Sequence, residues 1–180
     1  MKRLLFLAIA IISAASAFGQ LAGHDDSRYS RVHFCWGAEV GGSVDMSGND
    51  MSSFDFNASF GMKYRWIKML GIGAGADIMV SNSCRTYPVY VDFKTDFSTM
   101  PGLLFMNLKA GVGMNYMEQN AHAAGAYVFA GMGVNLARSS RFTSYMLLGY
   151  TFNQRPDATD PEPFTRPDLH LATIKLGITF

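Results

Sequence analysis

Two cysteines in 180 residues are too few for a disulfide framework or a cysteine-rich zinc site. Charge is scarce too: Asp, Glu, Lys and Arg make up 16% of the chain, against roughly 25% in ordinary soluble domains. The formal charge of +1 supplies no electrostatic footprint for nucleic acid. Prolines number six and low-complexity tracts are missing, which argues against a disordered chain. Past residue 19 no apolar run approaches the roughly 20 residues that a membrane-spanning helix needs. Hydrophobic residues nevertheless reach 49% and aromatic residues 13%, with 18 glycines among them. The length suits one domain.

Lys2 and Arg3 precede the apolar run Leu4–Ile12, and Ser13, Ala14, Ala15, Ser16 and Ala17 follow. This charged, apolar, small-residue order is that of a secretory signal peptide, and the run is too short to span roughly 30 Å of hydrocarbon. Residues 1–19 are therefore expected to be the signal and residues 20–180 the mature domain. Losing Lys2 and Arg3 leaves thirteen basic against fourteen acidic side chains.

The mature sequence alternates. Leu70, Ile72, Ala74, Ala76, Ile78 and Val80 interleave with Gly71, Gly73, Gly75, Asp77 and Ser81. Ala126, Val128, Ala130, Met132, Val134 and Leu136 do the same against Gly125, Tyr127, Gly131, Gly133 and Asn135. A period of two means strand, because successive side chains leave opposite faces. Eight such runs are expected, at 31–45, 53–64, 69–82, 86–97, 103–117, 123–136, 142–154 and 169–180. Short connections at Arg65–Lys68, Ser98–Gly102 and Ala137–Arg141 alternate with others that include Met46–Ser52 and the proline-rich Gln154–Asp168. The expected fold is all-β: an eight-stranded antiparallel up-and-down transmembrane β-barrel.

The identity of the two faces separates a membrane barrel from a soluble one. Glu39, Asp55, Lys63, Asp77, Asp92, Lys94, Asp96, Lys109 and Lys175 all lie out of phase with the apolar series, and the strand glycines, Gly42 excepted, share their phase. Facing the charged side outward would force Trp36, Phe54, Phe56, Phe60, Phe93 and Phe152 into the middle of a barrel barely wide enough for ordinary side chains. The reverse puts the bulky apolar face in lipid and lets glycines make room inside for long polar side chains. Five acids against four lysines then form a nearly neutral lumen network, which predicts a closed interior and not a conducting pore.

These features together resemble the small outer-membrane β-barrel proteins of Gram-negative bacteria, of the OmpA/OmpX-like type without a periplasmic domain. The resemblance spans the mature chain and is sharpest in the last strand, where Ile174, Leu176, Ile178 and the terminal Phe180 look like an assembly signal. It implies location in the cell outer membrane, contact with its lipid and lipopolysaccharide, and both termini on the periplasmic side. It also implies periplasmic chaperones and the barrel-assembly machinery as partners during biogenesis.

Chemical motifs are weak. Gly71, Gly73 and Gly75 have the wrong spacing for a dinucleotide loop, and the alternation runs through them without a helix to receive phosphate. His24, His33, His122 and His170 are scattered, so neither a metal site nor a cofactor is expected. Asp45 and Asp50 flank a Ser-Gly-Asn turn that does not follow the calcium-loop order. Cys35 and Cys84 fall near opposite barrel ends and are expected to be unpaired. Trp36, Tyr64, Trp66, Tyr87, Tyr116 and Tyr150 lie near strand ends, as interfacial girdles do.

The expected role is structural or surface-interacting and non-enzymatic, with loop 154–168, stiffened by Pro156, Pro161, Pro163 and Pro167, as the candidate contact for an extracellular partner. Two alternatives are a lipid A-modifying enzyme and a narrow pore or binding barrel. The enzyme would need a histidine, a hydroxyl and a carboxylate to converge at the rim, for which His122, Ser81, Ser83 and Glu118 are the nearest candidates.

Overall fold

The structure is a computed structural model that describes residues 32–48, 51–64, 67–80, 84–97, 102–116, 122–139, 141–155 and 168–180. The signal segment 1–19 lies outside these residues. Eight strands occupy the described chain: β1 (His33–Asp45), β2 (Ser53–Tyr64), β3 (Ile67–Met79), β4 (Arg85–Asp96), β5 (Leu104–Tyr116), β6 (His122–Arg138), β7 (Thr143–Asn153) and β8 (Leu169–Thr179). Each pairs antiparallel with its sequence neighbour, and β8 returns to pair with β1, so the sheet closes in the order of the chain. Closure matters for a sheet in hydrocarbon, where an open edge would present backbone groups with nothing to bond.

An even number of strands brings both ends of the barrel chain to one rim. There Trp36 and Phe180 exchange backbone hydrogen bonds, and their rings stack with centroids 4.5 Å apart. This rim also carries the connections β2–β3, β4–β5 and β6–β7; it is called the turn rim below, and the opposite one the loop rim. The closing pair sets Gly41 opposite Lys175. A side chain at Gly41 would collide with the Ile174 carbonyl and the Lys175 stem, so the seam between first and last strand depends on that glycine.

Alternation decides what each face meets. Along β2 the pattern is strict through residue 60: Ser53, Asp55, Asn57 and Ser59 are buried, while Phe54, Phe56, Ala58 and Phe60 are exposed. Exposure of the outer side chains reaches 68% at Ile72 and 71% at Phe34. Trp36, Tyr64, Phe142 and Phe180 ring the turn rim; Tyr87 and Tyr116, in edge contact at 5.4 Å, and Tyr150 lie towards the loop rim. Trp66 is outside the described residues. A sheet whose outside is this apolar and whose inside is this polar is inverted relative to a soluble protein.

Turns and bulges interrupt this regularity, with register shifts between Met62 and Tyr64, Ile67 and Met69, and Asn135 and Ala137. Gly48 has φ +80°, and the Asp45 carboxylate accepts the backbone N–H groups of Ser47 (2.7 Å) and Met51 (3.3 Å). Asp45 thus builds the turn it borders. At the start of β3 the register shifts between Ile67 and Met69. Lys68, read from the sequence as part of a turn, instead belongs to β3 at this bulge, and both it and the fully buried Met69 reach the interior.

Candidate functional site: the filled lumen

The charged residues singled out in the sequence are brought into one interior. Glu39, Asp55, Asp77, Asp92, Lys94, Asp96, Lys109 and Lys175 are all buried, and Lys63 is half-buried near the turn rim. At mid-barrel Glu39 is the hub. Its carboxylate accepts Lys94 at 2.7 Å, Lys109 at 2.5 Å and the Tyr145 hydroxyl at 2.9 Å. Lys94 also donates to the Tyr145 oxygen at 2.9 Å and lies 3.3 Å from Asp92. Asp92 in turn accepts Ser59 at 2.7 Å and Asn107 at 2.6 Å. These charges come from β1, β4 and β5, so the network ties together strands that are not all neighbours. Buried ions are tolerable in this form because each is paired and hydrogen-bonded.

Nearer the loop rim is a second cluster, less well satisfied. Asp55 accepts Ser53 at 2.8 Å and is also bonded by Ser43, while Lys175 stands 3.9 Å away. Asp77 sits directly across the β2–β3 ladder from Asp55. Its Oδ1, the Lys175 ammonium and the Tyr127 hydroxyl have no hydrogen-bond partner among the described residues. Towards the turn rim, Lys68 completes a third pair with Asp96 at 3.4 Å and donates to Asn135 at 2.7 Å. With Lys68 included, the lumen holds as many lysines as acids.

The glycines correct one expectation. Beside Gly73, Gly131, Gly133, Gly149 and Gly177 the space is taken by aromatic rings, not by long polar side chains. A methyl group at Gly133 would collide with the Phe105 ring, one at Gly177 with Tyr145, one at Gly73 with Tyr90, and those at Gly131 and Gly149 with Phe129. Gly41 against Lys175 and Gly75 against Asn57 do follow the polar rule. The rings then serve the cations: Lys109 lies 4.8 Å from the Tyr90 centroid, Lys175 5.0 Å from Phe129 and Lys68 4.4 Å from Phe105.

Nor is the interior polar throughout. Phe105, Tyr145 and Leu147 pack together towards the turn rim, and Met79, Leu169 and Leu171 close the loop-rim end with Met51 and Cys84 beside them. Cys35 and Cys84 are both free thiols. Arg155 turns inwards as well. It is buried, its guanidinium meets the sulfurs of Met51 and Met79, and its backbone N–H donates to the Asp168 carboxylate at 3.2 Å. Residues 156–167 of the loop that Arg155 opens lie outside the described residues.

The remaining sequence candidates are placed as follows. Ile174, Leu176 and Phe180 point outwards on β8, with Ile178 half-buried among them. His33 and His170 sit at opposite rims of the closing seam. Ser81, Ser83, Glu118 and His24 are outside the described residues, and of His122 only the backbone is described. No group of three potential metal ligands occurs among the described residues.

A closed eight-stranded antiparallel sheet, apolar outside and salt-bridged inside, defines the fold class of small membrane β-barrels. Among solved structures, the crystal structure of Neisserial surface protein A (NspA) superimposes with a TM-score of 0.55, covering 83% of this chain and 98% of that one at 12% identity. That likeness is one of fold. No known protein family and no curated protein matches the sequence.

Proposed function

We propose that the chain is a Gram-negative outer-membrane protein, exported by residues 1–19 and inserted as a monomeric-size barrel with a structural or surface-interaction role. The observation that carries this reading is the inversion of faces: phenylalanines and aliphatic residues outside, ion pairs inside. The turn rim faces the periplasm, and the longer connections face outwards, with loop 154–168 available to an extracellular partner. Lipid and lipopolysaccharide surround the apolar band. The last strand, with Ile174, Leu176, Ile178 and Phe180 outward, is the segment offered to the assembly machinery after chaperone transit.

The role is non-enzymatic and non-conducting on this reading. Support for a closed lumen comes from the mid-barrel network and the two apolar caps, which fill the axis where a pore would need water. Fractionation of expressing cells, with heat-modified gel mobility and protease accessibility on intact cells, tests location and orientation together. Recovery in the soluble periplasmic fraction would refute the membrane reading. Single-channel steps in planar bilayers would refute the closed lumen, and a change in lipid A acylation on deleting the gene would refute the non-enzymatic role.

A further inference from the structure

At the loop rim three separate segments of the chain meet around two sulfurs. Met51 precedes β2, Met79 ends β3 and Arg155 follows β7. The Arg155 guanidinium sets Nη1 2.8 Å from the Met51 sulfur and Nη2 3.0 Å from that of Met79. Each backbone is held where it stands. The Met51 N–H donates to the Asp45 carboxylate at 3.3 Å, the Met79 N–H to the Cys84 carbonyl at 3.2 Å and the Arg155 N–H to the Asp168 carboxylate at 3.2 Å. The fold therefore builds this contact, across 104 and 76 positions of sequence. Met79 is buried with Leu169 and Leu171, whereas Met51 is half-buried at the rim itself.

We propose that Met51 is a modification site, oxidised by a peroxide to the sulfoxide, and that the Arg155 guanidinium holds the new oxygen. The sulfur lone pair attacks one peroxide oxygen and the O–O bond breaks. The transferred oxygen stays on sulfur, its proton passes to the departing oxygen, and water leaves; sulfur gives up the two electrons that the peroxide gains. A thioether is a weak hydrogen-bond acceptor, and oxidation turns it into a polar group. Among apolar side chains that group ordinarily disrupts packing, because its oxygen lacks a donor. At this rim a charged N–H already points at the sulfur, and charge-assisted hydrogen bonds are roughly twice as strong as neutral ones. Both side chains are long and unbranched, so they can part for the inserted oxygen. Met79, on the other arm of the same fork, is held in the same way when oxidation proceeds further. Oxidation thus leaves the loop-rim cap closed instead of loosening it. The chemistry needs only peroxide at the loop rim and holds whichever compartment that rim faces.

The test uses the full mature barrel in phosphatidylcholine vesicles, treated with hydrogen peroxide. Peptide mapping by mass spectrometry locates the sulfoxides. Met46, 66% exposed near the same turn, reports a freely accessible methionine, and the fully buried Met69 reports a protected one. Met51 is expected to be converted along with Met46 while Met69 stays reduced. Urea midpoints before and after treatment are then compared between the wild type and Arg155→Leu, which removes the donors and keeps an apolar side chain. Heat-modified mobility establishes that both are folded. Oxidation of Cys84 and of other methionines affects both barrels alike, so the difference between them isolates the guanidinium. Peroxide is expected to lower the midpoint of Arg155→Leu by at least about 0.5 M more than that of the wild type. Adding Met51→Leu and Met79→Leu to Arg155→Leu is expected to abolish that extra loss. Met51 remaining a thioether once Met46 is converted, a smaller gap between the two barrels, or a loss that persists without the two methionines each overturns the proposal. Should Arg155→Leu not fold, Arg155→Gln, whose neutral amide is a weaker donor, takes its place under the same criteria.

Discussion

Replacing Glu39 by Gln tests the mid-barrel network at its centre. The glutamate accepts three donors, Lys94, Lys109 and Tyr145, at 2.5–2.9 Å. Glutamine keeps the shape and one acceptor oxygen but loses the charge and adds two N–H donors facing those same groups. Lys94 retains Asp92 at 3.3 Å, whereas Lys109 has no other carboxylate within salt-bridge distance among the described residues. Orphaning one member of a buried pair costs about 3–5 kcal/mol, well above the roughly 0.5 kcal/mol of an ordinary surface change. Urea unfolding of the barrel in lipid vesicles, followed by tryptophan fluorescence and by heat-modified mobility, measures this loss. Adding Lys109→Met removes the stranded ammonium, so the double variant is expected to regain part of the stability, with a coupling energy of about 1–3 kcal/mol. A single variant within about 0.5 kcal/mol of wild type would refute the claim that the network holds the lumen together.

Four further outcomes follow from the same geometry. Asp77→Asn is expected to leave stability unchanged or raise it, because it removes a carboxylate opposed directly to Asp55 and incompletely bonded, a change of at most about 1 kcal/mol in urea titrations; a loss as large as that of Glu39→Gln would contradict the unequal satisfaction of the two clusters. Gly133→Ala drives a methyl into the Phe105 ring and is expected to cost about 1–3 kcal/mol, whereas Gly42→Ala, on the outer face with only ordinary contact to Ser53, is tolerated; equal midpoints would show that the glycines are not making room for rings. Leu108→Arg places a charge in hydrocarbon at about 2–4 kcal/mol and lowers the yield of folded barrel, while the exposed Gln154→Arg does not; gel mobility and yield compare them. Phe180→Ala removes the ring stacked on Trp36 and is expected to slow assembly in cells far more than refolding in detergent, as pulse-chase and refolding assays would register; parallel slowing in both would assign the residue to stability alone.

Much of this barrel could be read from alternation. Strand number, order of connections and the inward phase of Glu39, Asp55, Asp77, Asp92, Lys94, Lys109 and Lys175 follow from a period of two, because a pleated strand fixes which side each residue leaves. The choice of outer face follows from volume, since the rings of Phe54, Phe56 and Phe60 have no room in a narrow lumen. Alternation stops being informative where the backbone breaks it. The bulge at Ile67–Met69 carries Lys68 inwards to Asp96, and no local pattern announces a bulge that depends on how β4 meets β3.

Partners across the lumen were equally hidden. Tyr145 and Glu39 are 106 positions apart, and Lys109 and Glu39 are 70 apart. Only the curl of the closed sheet, with the register of seven hairpins and one seam, puts their tips within 3 Å of one another. Glycine was legible as space but not as space for what: the Phe105 ring lies over Gly133 on the neighbouring strand, and the Tyr145 ring over Gly177 on its own neighbour. The sequence by itself determined strand, phase and the solvent each face requires, because those are properties of the chain's local period. Tertiary structure decided which opposite charges meet and which rings fill the gaps, because those depend on distances around a circumference that no stretch of sequence contains.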